Sequence, residues 1–177
     1  MSLFNLNDKV YAVTGASGAL AGTAARYLAE NGARVAFIAR NQSKLDLAVK
    51  DLGPEAATFT CDVTDRKALK TSFDLILQRF GHIDGLINGA GGNMPGATIG
   101  PDMSVFDLDF NDYEKVLQLN LSGTLLPSLV FGEYFAKRKK GAIVNFSSAS
   151  SQQALTRVLG YSNAKAAVDN LTRWMAT

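Results

Sequence analysis

Five short, almost wholly apolar runs alternate with longer amphipathic stretches, and this alternation limits the fold more than any other feature. The runs are Val10–Thr14, Arg34–Ala39, Ala57–Cys61, Ile83–Asn88 and Ala142–Phe146. Each has the ~5–6 residues of a strand, and none alternates apolar with polar as a strand with one wet face does. Strands covered by helices on both faces read in this way. Between the runs, helical patterns span Leu20–Asn31, Ser43–Asp51, Asp65–Phe80 and Asn111–Lys139, and a last one starts near Leu159. Ser43 and Thr64 are suitable N-caps. Gly32, Gly53 and Gly81 follow helix ends, where a positive φ is often needed. Pro127, inside the fourth pattern, predicts a kink or a break near Thr124. Strand–helix alternation implies right-handed crossovers and a parallel α/β sheet, which binds ligands beyond the carboxyl ends of its strands.

Composition narrows the class. The length of 177 residues suits a single domain over 1–177. Apolar residues make up 47% and charged residues 19%, enough to bury a core. Eighteen Lys and Arg against 16 Asp and Glu give a net charge of +2, which offers no attraction to nucleic acid or an anionic membrane. No apolar run approaches the ~18 residues needed to cross a bilayer. No Arg-rich leader or signal-peptide core precedes the first strand. One cysteine, Cys61, excludes an internal disulfide and a multi-cysteine zinc site. No metal-ligand cluster is visible, and the single histidine, His82, reads as a loop residue. A cytoplasmic location is expected.

The first strand leads into Val13-Thr14-Gly15-Ala16-Ser17-Gly18-Ala19-Leu20-Ala21-Gly22. Small residues here let the backbone approach a pyrophosphate, and the following helix N-terminus offers unpaired N–H donors. Gly15, Ser17, Gly18 and Leu20 are therefore candidate nucleotide contacts. The second strand ends Ala39-Arg40-Asn41, with no acid to bind a ribose 2′-hydroxyl. A guanidinium at Arg40 suits a 2′-phosphate, so NADP(H) is favoured over NAD(H). The competing reading of Arg40 is a solvated cation at a helix start. Asp62-Val63 follow the third strand, where an adenine would lie; Asp62 also suits a turn or a cap. Asn88-Gly89-Ala90-Gly91-Gly92 follows the fourth strand, and its small residues let a cofactor pass, which makes Asn88, Ala90 and Gly91 candidates.

Ser147-Ser148 precede Tyr161-Ser162-Asn163-Ala164-Lys165. Tyr161 and Lys165 are i and i+4 and share one helix face. A phenol has a pKa of ~10, and a neighbouring ammonium favours the phenolate, which makes a tyrosine usable as an acid or base. A serine at the end of the fifth strand can hydrogen-bond the same substrate oxygen.

These motifs, in this order, resemble the short-chain dehydrogenase/reductase family from about Lys9 to the end of the chain. The resemblance implies a Rossmann-like doubly wound fold with strand order 3-2-1-4-5 in this portion. It implies hydride transfer between a nicotinamide and a carbonyl or secondary alcohol. Tyr161 would be the general acid/base. Lys165 would lower the tyrosine pKa and bind the nicotinamide ribose. Ser148 would hold the substrate carbonyl, and Asn120 would bind a relay water. A homodimer or homotetramer through helices 111–139 and 159–176 is implied too. The rival reading is a non-catalytic NADP(H)-binding regulator, against which the complete Ser148–Tyr161–Lys165 set speaks.

The chain departs from the family pattern in three places. Ala19 and Ala21 stand at the last two glycines of Thr-Gly-x-x-x-Gly-x-Gly. Gly89 replaces the second asparagine of Asn-Asn-Ala-Gly. Both, with Gly91-Gly92-Asn93, Pro95, Ala97-Thr98 and the segment Asn120–Pro127, resemble the D-mannonate oxidoreductase (fructuronate reductase) branch. Asn93 and Arg157 are then candidate substrate residues. Arg157, four residues before Tyr161, can pair with a carboxylate or stand as an exposed surface cation. The third departure is length. Members run to ~250 residues, within the range of single large α/β domains. The resemblance implies a sixth strand, a substrate-covering segment and a seventh strand after the last helix, so a fragment of a longer chain is expected.

Overall fold

The computed structural model describes residues 5–177. The first four residues, part of the stretch searched above for a leader, lie outside the described residues. β1 (Val10–Thr14) is central. It pairs with β2 (Arg34–Ala39) on one side and β4 (Gly85–Asn88) on the other, while β3 (Ala56–Thr60) extends the sheet beyond β2 and β5 (Ala142–Asn145) beyond β4. The order is therefore 3-2-1-4-5, and every pair is parallel. This is the Rossmann-like doubly wound arrangement.

The uninterrupted apolar runs of β1, β2 and β4 have their cause in two separate cores, whereas β3 is only partly buried and β5 exposes Ala142 and Val144. On one face Val10, Ala12, Ile38 and Leu86 meet Leu69, Ile76 and Phe80 of α3 (Arg66–Phe80) and Phe131 and Phe135 of α5 (Gly123–Arg138). On the other, Val13, Val35 and Phe37 meet Ala21 and Ala25 of α1 (Ala19–Glu30) and Leu45 of α2 (Gln42–Val49). Each fully buried large side chain contributes about 1.5–3 kcal/mol. β5 is an edge strand, and Val144 is 53% exposed. No helix among the described residues is long and apolar enough to cross a membrane.

The structure moves several boundaries. β3 starts one residue earlier than the apolar run, and β4 begins at Gly85 although Ile83 is fully buried. The caps are Asn41, which accepts from Lys44 N, and Asp65, which accepts from Lys67 N and Ala68 N; Ser43 and Thr64 do not serve. The reason is reach, since a capping oxygen must meet a backbone N–H two or three residues on. Gly32 and Gly81 take the left-handed conformation, but Gly53 does not.

The long fourth pattern is two helices, α4 (Phe110–Leu117) and α5, joined by a π-helical turn over Gln118–Ser122. Pro127 does not make this break. Its missing N–H would have met the carbonyl of Gly123, the first residue of α5, so the ring removes only the opening bond of that helix. α6 (Leu159–Met175) packs its first turn on α4, where Gly160 lies over the Tyr113 ring and Asn163 Nδ2 donates to Tyr113 Oη at 3.1 Å.

Candidate active site

A cleft of about 530 Å³ opens at the carboxyl ends of the strands. Of the residues singled out from sequence, Gly15, Ser17, Gly18, Leu20, Arg40, Val63, Ala90, Gly91, Asn120, Tyr161 and Lys165 line it. Its floor depends on backbones that meet closely. A Cβ on Gly15, which has φ +70°, would fall 2.6 Å from the Gly89 carbonyl oxygen. A Cβ on Gly91 would fall 2.7 Å from Asn120 Oδ1. The N-cap of α1 is Gly18, which makes no side-chain cap, and no acid occupies the first turn. The helix end therefore presents N–H donors and a partial positive charge to the cleft, the arrangement a pyrophosphate needs. The donors and the glycine cradle fit a dinucleotide.

Lys165 is only 4% exposed, and its Nζ donates to the Phe146 carbonyl at 2.7 Å. Nζ lies 5.5 Å from the Tyr161 ring centroid. Burial pulls the Lys165 pKa down, with Asp169 partly opposing it. Asn120 is fully buried in the π turn. Its Nδ2 donates to the Gly92 carbonyl at 2.6 Å and the Val116 carbonyl at 2.9 Å, and its Oδ1 accepts from Gly92 N at 3.1 Å. The side chain thus fastens the loop after β4. Its main-chain carbonyl accepts from Thr124 Oγ1 at 2.9 Å.

Five candidates stand off the cleft lining. Asn88 is 1% exposed, and its Nδ2 donates to Ser128 Oγ and to Asn145 Oδ1, both at 2.9 Å; it ties β4 to α5 and β5. Asp62 accepts from Thr64 N at 2.8 Å and Thr64 Oγ1 at 2.7 Å and makes a turn. Burial alone would push this carboxyl up, but the Thr64 hydrogen bonds and the Arg40 charge outweigh it and hold the group below the ordinary carboxylate range. Asn93 donates to Thr98 Oγ1 at 2.8 Å, within its own loop. Arg157 lines a neighbouring hollow. Ser148 lies one residue behind Ser147, which does reach the cleft. Its Oγ accepts from Ser150 N at 3.2 Å and Ser150 Oγ at 3.0 Å, so its own proton is left to donate.

The cleft also holds residues that no motif marked: Lys44, Cys61, Leu119 and Phe146. Lys44 had a signal in the Asn41 cap, which aims the first turn of α2 at the cleft mouth beside Arg40. Burial pushes the Cys61 thiol pKa up, so Cys61 acts as a small apolar wall.

Known proteins share this architecture. The chain is 40% identical to an uncharacterized oxidoreductase, UxuB, of Bacillus subtilis over 97% of its own length and 66% of the relative's. A provisionally named D-mannonate oxidoreductase of Haemophilus influenzae, crystallised with bound NAD, superposes with a TM-score of 0.89 at 35% identity, over 97% of this chain and 66% of that one. An NAD+-bound xylitol dehydrogenase superposes with a TM-score of 0.90 at 31% identity, over 98% and 65%. The chain thus spans about two thirds of the length of these proteins. The short chain dehydrogenase family model matches residues 9–177, and the chain belongs to that family.

Proposed function

We propose that the chain carries the cofactor half and the proton-transfer residues of an NAD(P)-dependent oxidoreductase that interconverts a carbonyl and a secondary alcohol. One observation carries the reading. Tyr161, Lys165 and Asn120 share a cleft with two glycine-cradled loops and an uncapped helix N-terminus. The dinucleotide, when bound, supplies or accepts the hydride at its nicotinamide. In reduction the Tyr161 hydroxyl gives its proton to the substrate oxygen as the carbonyl carbon gains hydride; in oxidation both transfers reverse. Lys165, fixed by Phe146, brings positive charge to the tyrosine ring and a donor to the ribose. Ser148 offers its free proton to the same substrate oxygen. Asn120, in the cleft wall, is the candidate to bind a relay water.

Arg40 and Lys44 at the adenosine end favour NADP(H), since two cations suit a 2′-phosphate. The NAD seen in the Haemophilus influenzae and xylitol dehydrogenase structures belongs to those proteins. The likeness to a D-mannonate oxidoreductase supports a keto-sugar acid of the fructuronate type as substrate. A second copy docking on α4–α5 and α6 suits the exposed Phe110, Leu129 and Trp174. The test is Tyr161→Phe, with fructuronate and hydrophobic ketones offered alongside NADH and NADPH. Turnover should fall at least a hundredfold while dinucleotide binding persists. Undiminished turnover, or preference for hydrophobic ketones, overturns the corresponding part of the reading.

A further inference from the structure

The helix that carries Tyr161 and Lys165 starts without ordinary capping. Its N-cap position is Val158, which has no side-chain acceptor, and no acid lies in its first turn. Tyr161 is only two residues into that helix. Something else must fix the start, because uncapped helix ends fray.

Immediately before the helix, Arg157 adopts φ +77°, one of only three non-glycine residues at positive φ among the described residues. An L-residue is held there only where its surroundings over-determine it. What holds it is visible. The Arg157 carbonyl accepts from Ile99 N–H at 2.9 Å, a bond between segments far apart in sequence. Ile99 belongs to the segment between β4 and α4, which is itself anchored: Gly96 N donates to Asp112 Oδ2 at 2.9 Å and Asp109 N to the Gly96 carbonyl at 3.1 Å. The Arg157 guanidinium, by contrast, has no hydrogen bond or ion pair with any described residue. It stands exposed at a hollow of about 430 Å³ shared with Ile99, Val105 and Ser162, outside the cleft of Tyr161.

The geometry points to Arg157 as a positioning residue that acts through its backbone. Its left-handed turn clasps the Asn93–Asp109 segment to the start of α6 and so sets the place of Tyr161. The side chain is not the working part. This deepens the function proposed above and rests on it for the role of Tyr161. The segment held by the clasp begins at the glycine loop of the cleft, so anything that shifts it is passed to the proton donor.

Two substitutions in the full chain separate backbone from guanidinium. Arg157→Gly removes the charge and adopts positive φ freely; Arg157→Val removes the charge and cannot adopt it without strain. Amide hydrogen exchange at Ile99 reads the clasp directly. The Gly variant should keep the Ile99 amide protected, and the Val variant should lose at least tenfold in protection. With fructuronate and NADPH, kcat of the Gly variant should exceed that of the Val variant at least tenfold, with the KM for NADPH alike in both. If both variants lose turnover equally and the KM for fructuronate rises, the guanidinium binds substrate and the proposal is wrong. It is equally wrong if Ile99 stays protected in the Val variant. Should the Val variant be unfolded by its thermal midpoint, Arg157→Ala takes its place with the same ordering expected. If the unmodified chain turns nothing over, the functional reading fails by itself, and the exchange at Ile99 still decides the clasp.

Discussion

Replacing Gly89 with alanine tests whether two departures from the family pattern are one compensated pair. A Cβ on Gly89 would lie 2.5 Å from the Ala21 Cβ, 3.6 Å from its Cα and 3.1 Å from the Thr14 carbonyl oxygen. Carbon atoms prefer ~3.5–4.0 Å, so the overlap with the Ala21 methyl is about 1 Å or more. Ala21 is 2% exposed inside α1, and Gly89 N is tied to Thr14 Oγ1 at 3.2 Å, so neither side has room to retreat. Overpacking of this kind costs about 1–3 kcal/mol, and we expect about 2. For a chain of this size that lowers the thermal midpoint by about 4–8 °C. Ala21→Gly alone should cost about 1 kcal/mol for glycine in a helix, plus about 0.8 for the lost buried methyl. Were the sites independent, the double variant would lose about 4 kcal/mol. Removing the methyl removes the main collision, so it should instead lose only about 2–3. The assay is a double-mutant cycle by urea unfolding, in which coupling appears as non-additivity. Additive losses within ~0.5 kcal/mol would refute the argument. The methyl of Ala21 and the bare backbone of Gly89 would then be unrelated substitutions.

Two further outcomes follow from the cleft. Gly91→Ala places a methyl 2.7 Å from the buried Asn120 Oδ1 and 3.6 Å from Lys165 Nζ, so dinucleotide binding, read by reduced-nicotinamide fluorescence, should weaken at least tenfold, and displacement of Asn120 from Gly92 should lower the urea midpoint as well. Lys165, its pKa lowered by burial, gives a signed pH dependence. Between its depressed folded pKa and the ordinary Lys value of ~10.4, the unfolded chain binds more protons than the folded one. The stability contributed by this group therefore rises with pH across that window. The difference in thermal midpoint between the parent and Lys165→Met should change in the parent's favour as pH climbs towards 10; a flat difference would contradict the burial argument.

The sequence makes legible what one local rule decides, and hides what two distant segments decide together. β1 and β2 are plain because two cores demand unbroken apolar runs, and Tyr161 and Lys165 are plain because four residues make one helix face. The caps lie two residues before Ser43 in α2 and one after Thr64 in α3, because serine, threonine, asparagine and aspartate compete there and only the N–H actually met selects among them. The π turn carries no proline or glycine signal of its own; Gln118–Ser122 read as ordinary helix. Its cause is tertiary, since Asn120 bonds both Gly92 backbone groups and Gly92 sits at the far end of another strand's loop.

Arg157 makes the same case in reverse. Its residue type suggests either a carboxylate partner or an exposed cation, whereas its positive φ and the bond from Ile99 N to its carbonyl belong to the backbone and carry no side-chain signal. A side-chain motif can be read from one segment. The conformation that aims it is fixed by whichever segment supplies the missing hydrogen-bond partner, because a buried or strained backbone group must find one. Asn88 follows this logic too. It sits in a nucleotide motif, yet both its amide hydrogens go to α5 and β5, so its service to the cleft is to hold the ends of β4 and β5 level. The loops that leave those two strand ends carry Gly91, which lines the cleft, and Ser147-Ser148, and any tilt between the strands would move one loop against the other.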